Sequence, residues 1–373
     1  MADTLGWPVI SEMAVASPYG LGEDAFADGI LAGIHAPGPL DIGDWPVPYR
    51  EAGLIPGFDV VEALGPKGTR SMDRLTGITV ATTGLLLERC GTLVADGPEE
   101  TGLVLGTPGS VQSVMAFTHD ALTGERPFHV NPARFPNTVL NHPAGRSAIW
   151  HGLQGPNVSV SGGTASGLHA LNYGSRLLRG GHARVLLCGA AEEFSVQRAR
   201  LDHVVQADAG GPLGEGAALF LLESAGSAER GGRTPRAELL GCRFRVFTHP
   251  ERAGKALATC LADLLRETGS DAEEIGLIAP TGAPDALGEQ ESMALDEVLG
   301  PSGADQRVRM ELHALLGGTG TASTALQLAG LLALAARTPS GARRLALVTT
   351  VDREGTVACA LFRTATADEK DFG

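Results

Sequence analysis

Residues 155–171, Gly-Pro-Asn-Val-Ser-Val-Ser-Gly-Gly-Thr-Ala-Ser-Gly-Leu-His-Ala-Leu, predict a short strand, a tight turn of small residues and then a helix. At such a corner the backbone N–H groups and the dipole of the helix favour negative charge. Many enzymes hold a nucleophile there, normally a Cys or an activated Ser. The residue at the point of this turn is Thr164, so the frame of a catalytic site is present without its usual reactive atom.

A second segment repeats the first, since Gly-Thr-Ala-Ser begins at Gly163 and again at Gly320. Each copy predicts a helix, a break, a strand and then a further strand that follows a Glu-Gly pair. The helices are predicted to end at Arg179 and Arg337, the breaks lie at 180–181 and 339–341, and the strands cover 184–188 and 344–348. We interpret the pattern as one turn–helix–strand–strand unit used twice. The alternative is chance recurrence in a chain rich in Ala and Gly.

Both repeated helices are interpreted as apolar nearly all round, most clearly the one after Gly320, which predicts burial on every side. The strands that follow the two repeated helices are continuous apolar runs, as expected when both faces of a sheet are covered. Together these patterns predict a central helical layer between two sheets. The stretch 225–235 is the best linker candidate, which divides the chain into halves at 1–228 and 229–373. The Pro- and Gly-rich stretch 33–68 is predicted to be a surface excursion.

Composition excludes several classes of function. The 373 residues are 43% hydrophobic, enough for a large core in one domain or two fused halves. The net charge is −14 and no basic run alternates with aromatics, which argues against nucleic acid. Five widely spaced Cys form no CxxC pair and predict no metal site. Without a signal-like N-terminus or a membrane-spanning stretch, the expected location is cytoplasmic.

Several landmarks carry a family resemblance. They are Ser17-Pro-Tyr-Gly, Phe135-Pro-Asn-Thr-Val, Gly152-Leu-Gln-Gly-Pro, the turn at Thr164, Gly214-Glu-Gly-Ala and Leu315-Leu-Gly-Gly-Thr-Gly. In order and spacing, over nearly the whole chain, this set resembles the β-ketoacyl synthases of fatty-acid and polyketide assembly. The resemblance implies the α/β thiolase fold, in which two similar βαβαβ halves form five layers, α-β-α-β-α.

An active member of that family uses one Cys and two His. By the resemblance, the Cys position falls on Thr164, the first His on Pro280 and the second on Ala314, with His313 one place early. The downstream C-terminal loop is also altered, at 352–356. A Thr hydroxyl needs a base, and neither expected His is present. The three positions are therefore degenerate, and no catalytic residue, metal ligand or resident cofactor is assigned.

The chain is similar to the Cys-less chain length factor that pairs with an active ketosynthase in bacterial type II polyketide synthases. This resemblance implies a non-catalytic subunit, a heterodimer with a Cys-containing ketosynthase, and substrate presented on the phosphopantetheine arm of an acyl carrier protein. Because the chain is acidic, an acidic carrier protein would need a local basic patch or the second subunit for docking. Many family members carry Gln where this chain has Thr164, which points to a divergent branch for reduced or polyene chains.

The family resemblance also assigns an acyl tunnel and a dimer seam. The gate lies on the helix predicted at 111–122, where Gln112, Met115, Ala116 and His119 are the candidate tunnel-lining residues. The alternative makes Met115 core filler and His119 a solvated residue. The interface strand is Asn157, Val158, Ser159, Val160 and Ser161, which pairs with its counterpart across the dyad and so satisfies an exposed edge. The alternative there is an internal strand.

Two other functions stay open. In the first, the chain is a thiolase-fold acyltransferase, hydrolase or cyclase. It would use Thr164, or it would use His313 if the alignment to the family motif is shifted by one residue. In the second it is a homodimeric scaffold without a polyketide partner. His142, His151 and His169 lie near the corner in sequence and are expected to be structural.

Overall fold

The computed structural model describes residues 6–124, 126, 129–206, 211–300, 307–337 and 344–365. Fourteen strands lie in these ranges: β1 Val9–Ser17, β2 Gly20–Leu21, β3 Gly38–Pro39, β4 Glu51–Gly53, β5 Thr101–Gly106, β6 Asn157–Val160, β7 Val185–Glu192, β8 Leu213–Gly214, β9 Gly216–Glu223, β10 Ala237–Val246, β11 Ile275–Ala279, β12 Val308–Arg309, β13 Arg344–Val351 and β14 Thr356–Thr364. The predicted break at 339–341 lies outside the described residues.

Thirteen α-helices lie in the same ranges: α1 Glu23–Leu31, α2 Val60–Leu64, α3 Arg74–Arg89, α4 Leu93–Asp96, α5 Val111–Thr123, α6 His142–His151, α7 Ser166–Arg179, α8 Val196–Gln206, α9 Ala225–Arg230, α10 Ala253–Thr268, α11 Ala286–Leu299, α12 Leu312–Leu316 and α13 Ser323–Arg337. None of the helices in the described residues has the length and hydropathy needed to cross a bilayer.

The sheet topology is duplicated. One half orders its strands β6-β5-β7-β9-β1 and the other β12-β11-β13-β14-β10. In each half, the first three strands of this order run parallel, and each of the last two pairs antiparallel with the strand before it. The halves meet where β1 and β10 pair through Val9 with Glu238 and Ile10 with Ala237. The predicted internal repeat is therefore confirmed as two similar halves.

Successive side chains along a strand point to opposite faces of the sheet, and this alternation produces the five layers. On β7, Leu186 and Cys188 face the central core with α7 and α13, whereas Val185 and Leu187 face the outer core with α3 and α6. A second outer core packs α10 and α11 against the other face of β13 and β14. Most of α13 is buried, as its uniform apolar pattern predicts, but the same prediction is wrong for α7, where the polar side chains of Tyr173, Arg176 and Arg179 are exposed. The architecture is the predicted thiolase fold.

Two stretches differ from the sequence prediction. Residues 225–235 are not an exposed linker, because α9 occupies their first half and buries Ser227 and Ala228. Residues 33–68 do more than cover the surface: β3 and β4 form a small sheet with β8, and Val47 packs in a core with Phe194. In both stretches, apolar side chains scattered among Gly and Pro form long-range contacts that local composition does not reveal.

Candidate functional site

The corner that the sequence singled out is a tight turn between β6 and α7. Residues Gly163–Ala165 form one turn of 3₁₀ helix, and Gly163 has a φ of +53°. A Cβ at Gly163 would lie 2.2 Å from Oδ2 of Asp352, so glycine is required both for the left-handed conformation and for the close approach. The turn thereby presses Thr164 against a carboxylate from the other half of the chain.

Thr164 directs both of its donors at Asp352. Its backbone N–H donates to Oδ2 at 2.7 Å and its hydroxyl donates to the same oxygen at 3.0 Å. Its Oγ1 also lies 2.7 Å from the hydroxyl of Thr350, which accepts a hydrogen bond from the Thr281 hydroxyl. Because each hydroxyl has one proton, the donation runs from Thr281 to Thr350, then to Thr164 and finally to Asp352.

The Asp352 carboxylate binds the backbone N–H of Thr164, a donor that an acyl oxyanion at this corner would need. Its side chain is buried, and its other oxygen accepts the backbone N–H of Glu354 at 2.7 Å. An oxyanion hole depends on N–H groups that are free to meet developing negative charge. Here the N–H of Thr164 is already bound to a fixed negative charge, which opposes a second one. The same carboxylate is the nearest base to the Thr164 hydroxyl.

The two degenerate histidine positions have no imidazole at them. Pro280 is buried directly after β11, and the N–H groups of Thr281 and Gly282 donate to Glu291. Burial raises the pKa of that carboxyl above its usual value. Ala314 is exposed on α12, where its carbonyl lies 2.9 Å from Nδ1 of His35.

The neighbouring histidines have structural surroundings. His313 packs against the backbone at Gly318, where an added Cβ would meet its Cε1 at 3.3 Å. His151 bonds to the carbonyl of Val80 at 2.9 Å, and the ring of His169 stacks on Phe244 at 4.0 Å. Burial lowers the pKa of His142, His151 and His169. The hydroxyl of Thr164 has its contacts with Thr350 and Asp352 rather than with an imidazole.

The second half contains a matching corner. Gly320 has a φ of +51°, and the N–H of Thr321 donates to Oε2 of Glu192 at 3.0 Å; the Thr321 hydroxyl lies 3.0 Å from that oxygen and 2.9 Å from the carbonyl oxygen of Ala191. Glu192 ends β7, and Asp352 follows the equivalent strand β13. Each half therefore supplies a carboxylate to the Thr turn of the other half. Aligning residues 184–192 of the first copy of the repeat with residues 344–352 of the second places Asp352 opposite Glu192 and would have revealed this role. The family resemblance had placed Asp352 only in an altered loop.

The candidate tunnel residues lie on an uncovered helix. All thirteen residues of α5 are described, and none of them is buried. Gln112, Met115 and His119 are exposed and Ala116 is half-buried. Met115 is 46% exposed, so within this chain it does not fill the core. Whether these side chains line a tunnel depends on what covers the helix.

The candidate seam is an open sheet edge. In the described part of the chain, β6 pairs with β5 and has no partner on its other side. The carbonyls of Pro156 and Val160 accept N–H groups from the β5 side at 2.8 and 2.9 Å. Backbone groups alternate in direction along a strand, so those of Asn157, Ser159 and Ser161 point to the open edge.

No cluster of metal-ligating side chains occurs among the residues that the structure describes. All five cysteines are buried, and none is at the Thr164 corner. The site therefore consists of a hydroxyl and carboxylate network, an uncovered helix and an open strand.

Comparisons with known proteins agree on the family. The model for the β-ketoacyl synthase N-terminal domain matches residues 9–228. The 3-oxoacyl-[acyl-carrier-protein] synthase 2 of Vibrio cholerae is 27% identical over 80% of this chain and 78% of its own. The tetracenomycin polyketide synthase ketoacyl synthase alpha subunit of Streptomyces glaucescens is 29% identical over 70% of each chain. A solved structure titled the ishigamide ketosynthase/chain length factor is 42% identical, covers 96% of this chain and 99% of its own, and has a TM-score of 0.88. The chain belongs to the β-ketoacyl synthase family.

Proposed function

We propose that this chain is the non-catalytic, chain-length-determining subunit of a heterodimeric type II polyketide β-ketoacyl synthase. The observation that carries the proposal is the Thr164 corner, where a buried carboxylate occupies both donors of the residue at the nucleophile position. The similarity to a ketosynthase/chain length factor supports a role in a polyketide synthase complex. The two halves of the subunit are 1–228 and 229–373, and the acyl chain arrives on the phosphopantetheine arm of a carrier protein.

The geometry argues against catalysis by Thr164 with Asp352 as base. A carboxylate is a weak base toward a Thr hydroxyl, because their pKa values differ by many units. Attack on a thioester would also place an oxyanion beside Asp352 while the N–H of Thr164 stays bound to that carboxylate. In the matching corner, Thr321 and Glu192 make the same pair of contacts. We infer that the first corner now has the same structural role as the second.

The test of the proposal is reconstitution. The partner is a homologue of similar size that keeps the Cys and both His. We expect neither chain alone to condense malonyl units on a carrier protein and the purified pair to do so. Turnover of an acyl thioester by the isolated chain, lost in Thr164→Ala, would instead establish an enzyme. A stable homodimer that ignores the partner would establish a scaffold.

Assembly should depend on the open edge of β6. Ser159→Pro removes an N–H from that edge and keeps the hydrogen bonds between β6 and β5, since the backbone of Ser159 points away from β5. We expect the heterodimer to dissociate at least about tenfold more readily, measured by analytical ultracentrifugation. Ser159→Ala, which keeps the N–H, is the matched control. Equal association of the proline variant and the unchanged chain would remove β6 from the seam.

Product length should depend on the face of α5 that contains Ala116. Ala116→Phe adds a ring at a half-buried position between Gln112 and His119, and a bulky wall excludes longer chains. We expect the reconstituted pair to release products shorter by at least about one two-carbon unit, measured by mass spectrometry. The control is Ala121→Phe, on the opposite face of the helix. An unchanged length distribution in Ala116→Phe would take Ala116 out of the tunnel.

A further inference from the structure

The helix α5 is tied to the molecule at its first turn. Ser110 caps α5 by accepting the N–H of Ser113 at 3.1 Å, and its own hydroxyl donates to Glu193 at 2.9 Å. Glu193 is 1% exposed, and its second oxygen accepts the N–H of Leu75, in the first turn of α3, at 3.0 Å. One buried carboxyl group therefore joins the N-termini of two helices.

A second carboxylate, that of Asp73, also links α3 to α5. Asp73 caps α3 by accepting the N–H of Thr76 at 2.8 Å, and its other oxygen accepts the hydroxyl of Ser113 at 2.9 Å. Along the rest of α5 no side chain is fully buried, but the helix contacts α8 and the segment Pro132–Thr138, and Asp120 accepts a hydrogen bond from Arg134 at 2.7 Å. A ring contact between Phe117 and Phe135, 5.9 Å between centroids, packs its middle against the 3₁₀ helix Pro132–Thr138. The N-terminus is the end at which a fully buried side chain, Glu193, holds the helix.

We propose that Glu193, acting through Ser110, is the positioning residue of α5 and so sets which face of the helix meets the acyl chain. The proposal rests on the proposed function, because it deepens the role given there to α5. Glu193 is not a catalytic residue. It lies beneath the helix and is separated from the exposed positions by the capping turn.

The surroundings of Glu193 make this anchor sensitive to pH. Asp73 and Glu192 face it with like charge. Arg74, the nearest cation of α3, is bound to Glu215, and Arg198 donates to the backbone carbonyl of Glu193 rather than to its carboxylate. Burial, with Asp73 next, raises the pKa of Glu193 to about 8.

The sign of the pH dependence follows from the raised pKa. When α5 detaches, Glu193 meets water and its pKa returns to the ordinary value near 4.3. The state with α5 attached therefore binds the proton more tightly than the state with α5 detached. The stabilisation of the attached helix is complete below the ordinary pKa and is lost as pH rises through about 8. The first turn of α5 should open more often at pH 9 than at pH 6.

The test begins with backbone hydrogen exchange of the full-length chain, with protection factors corrected for the intrinsic effect of pH. We expect protection in the first two turns of α5 to fall roughly tenfold or more from pH 6 to pH 9. In Glu193→Gln, which has the size of the protonated acid and no ionisation in this range, we expect the fall to disappear. Helix α13, which contains no Asp, Glu, His or Cys, is the internal control and should not change. Protection of α5 that is independent of pH, or equally dependent in Glu193→Gln, would overturn the proposal.

The second readout is the product of the reconstituted pair. We expect Glu193→Ala and Ser110→Ala to broaden the length distribution, and the double variant to add little, because both remove the same hydrogen bond. If these variants leave the distribution unchanged while Ala116→Phe shortens it, the positioning role is wrong and the tunnel proposal stands. If Ala116→Phe also has no effect, both proposals fail.

Discussion

Glu215→Ala is expected to lower the free energy of unfolding by about 3–5 kcal/mol, the cost of removing one partner of a buried ion pair. Glu215 is fully buried and accepts Nε of Arg74 at 2.8 Å and the backbone N–H groups of Ile55 and Phe194 at 2.8 and 3.0 Å. The substitution leaves a guanidinium and two buried N–H groups without their acceptor. Urea denaturation followed by circular dichroism measures the change.

A matched variant separates this site from ordinary surface electrostatics. Glu100 pairs with Arg184 at 2.8 Å, but its side chain is 62% exposed. Exposed pairs contribute little, so Glu100→Ala should change stability by no more than about 1 kcal/mol. If Glu215→Ala lowers the free energy of unfolding by no more than Glu100→Ala does, then the ion pair between Arg74 and Glu215 does not hold residues 33–68 against α3 and β9.

The duplicated fold could be predicted from the sequence because its signals are local and occur twice. A Gly-Thr-Ala-Ser turn, a helix and two apolar strands recur in the same order, and the structure confirms that order in β6 to β9 and in β11 to β14. The helix predicted at 111–122 is α5, Val111–Thr123, and α3 follows its cap Asp73. Caps, glycines and periodicity act within a few residues, so one sequence suffices to read them.

The chemistry of the corner could not be read in the same way. Asp352 reaches Thr164 across 188 positions of sequence, through the packing of one half on the other. Glu192 and Glu193 are adjacent and acidic, yet one caps Thr321 and the other anchors Ser110. Successive residues at the end of a strand point in opposite directions, and only the assembled sheets decide what each one meets.

Restoring a cysteine at the corner is expected to give an unreactive thiol. In Thr164→Cys the sulfur would lie beside Asp352, and a neighbouring carboxylate raises a thiol pKa because it opposes the thiolate. A helix N-terminus has the opposite effect, but Asp352 already accepts the N–H that would stabilise the anion. We expect alkylation by iodoacetamide at pH 7 to be about 100-fold slower than in the double variant Thr164→Cys, Asp352→Asn.

Asp352→Asn is the matched partner because its amide oxygen still accepts the N–H of Thr164 while the negative charge is gone. The pH dependence of alkylation should place the thiol pKa of the double variant below that of the single variant by about two units or more, since the thiolate fraction changes at most tenfold per unit. Equal rates in the two variants would mean that the carboxylate does not control this corner. The five native cysteines are buried, so labelling should be confined to the new position. The expected difference separates two features of the corner that oppose thioester attack: the absence of a sulfur, which one substitution supplies, and the charge of Asp352, which a second substitution removes.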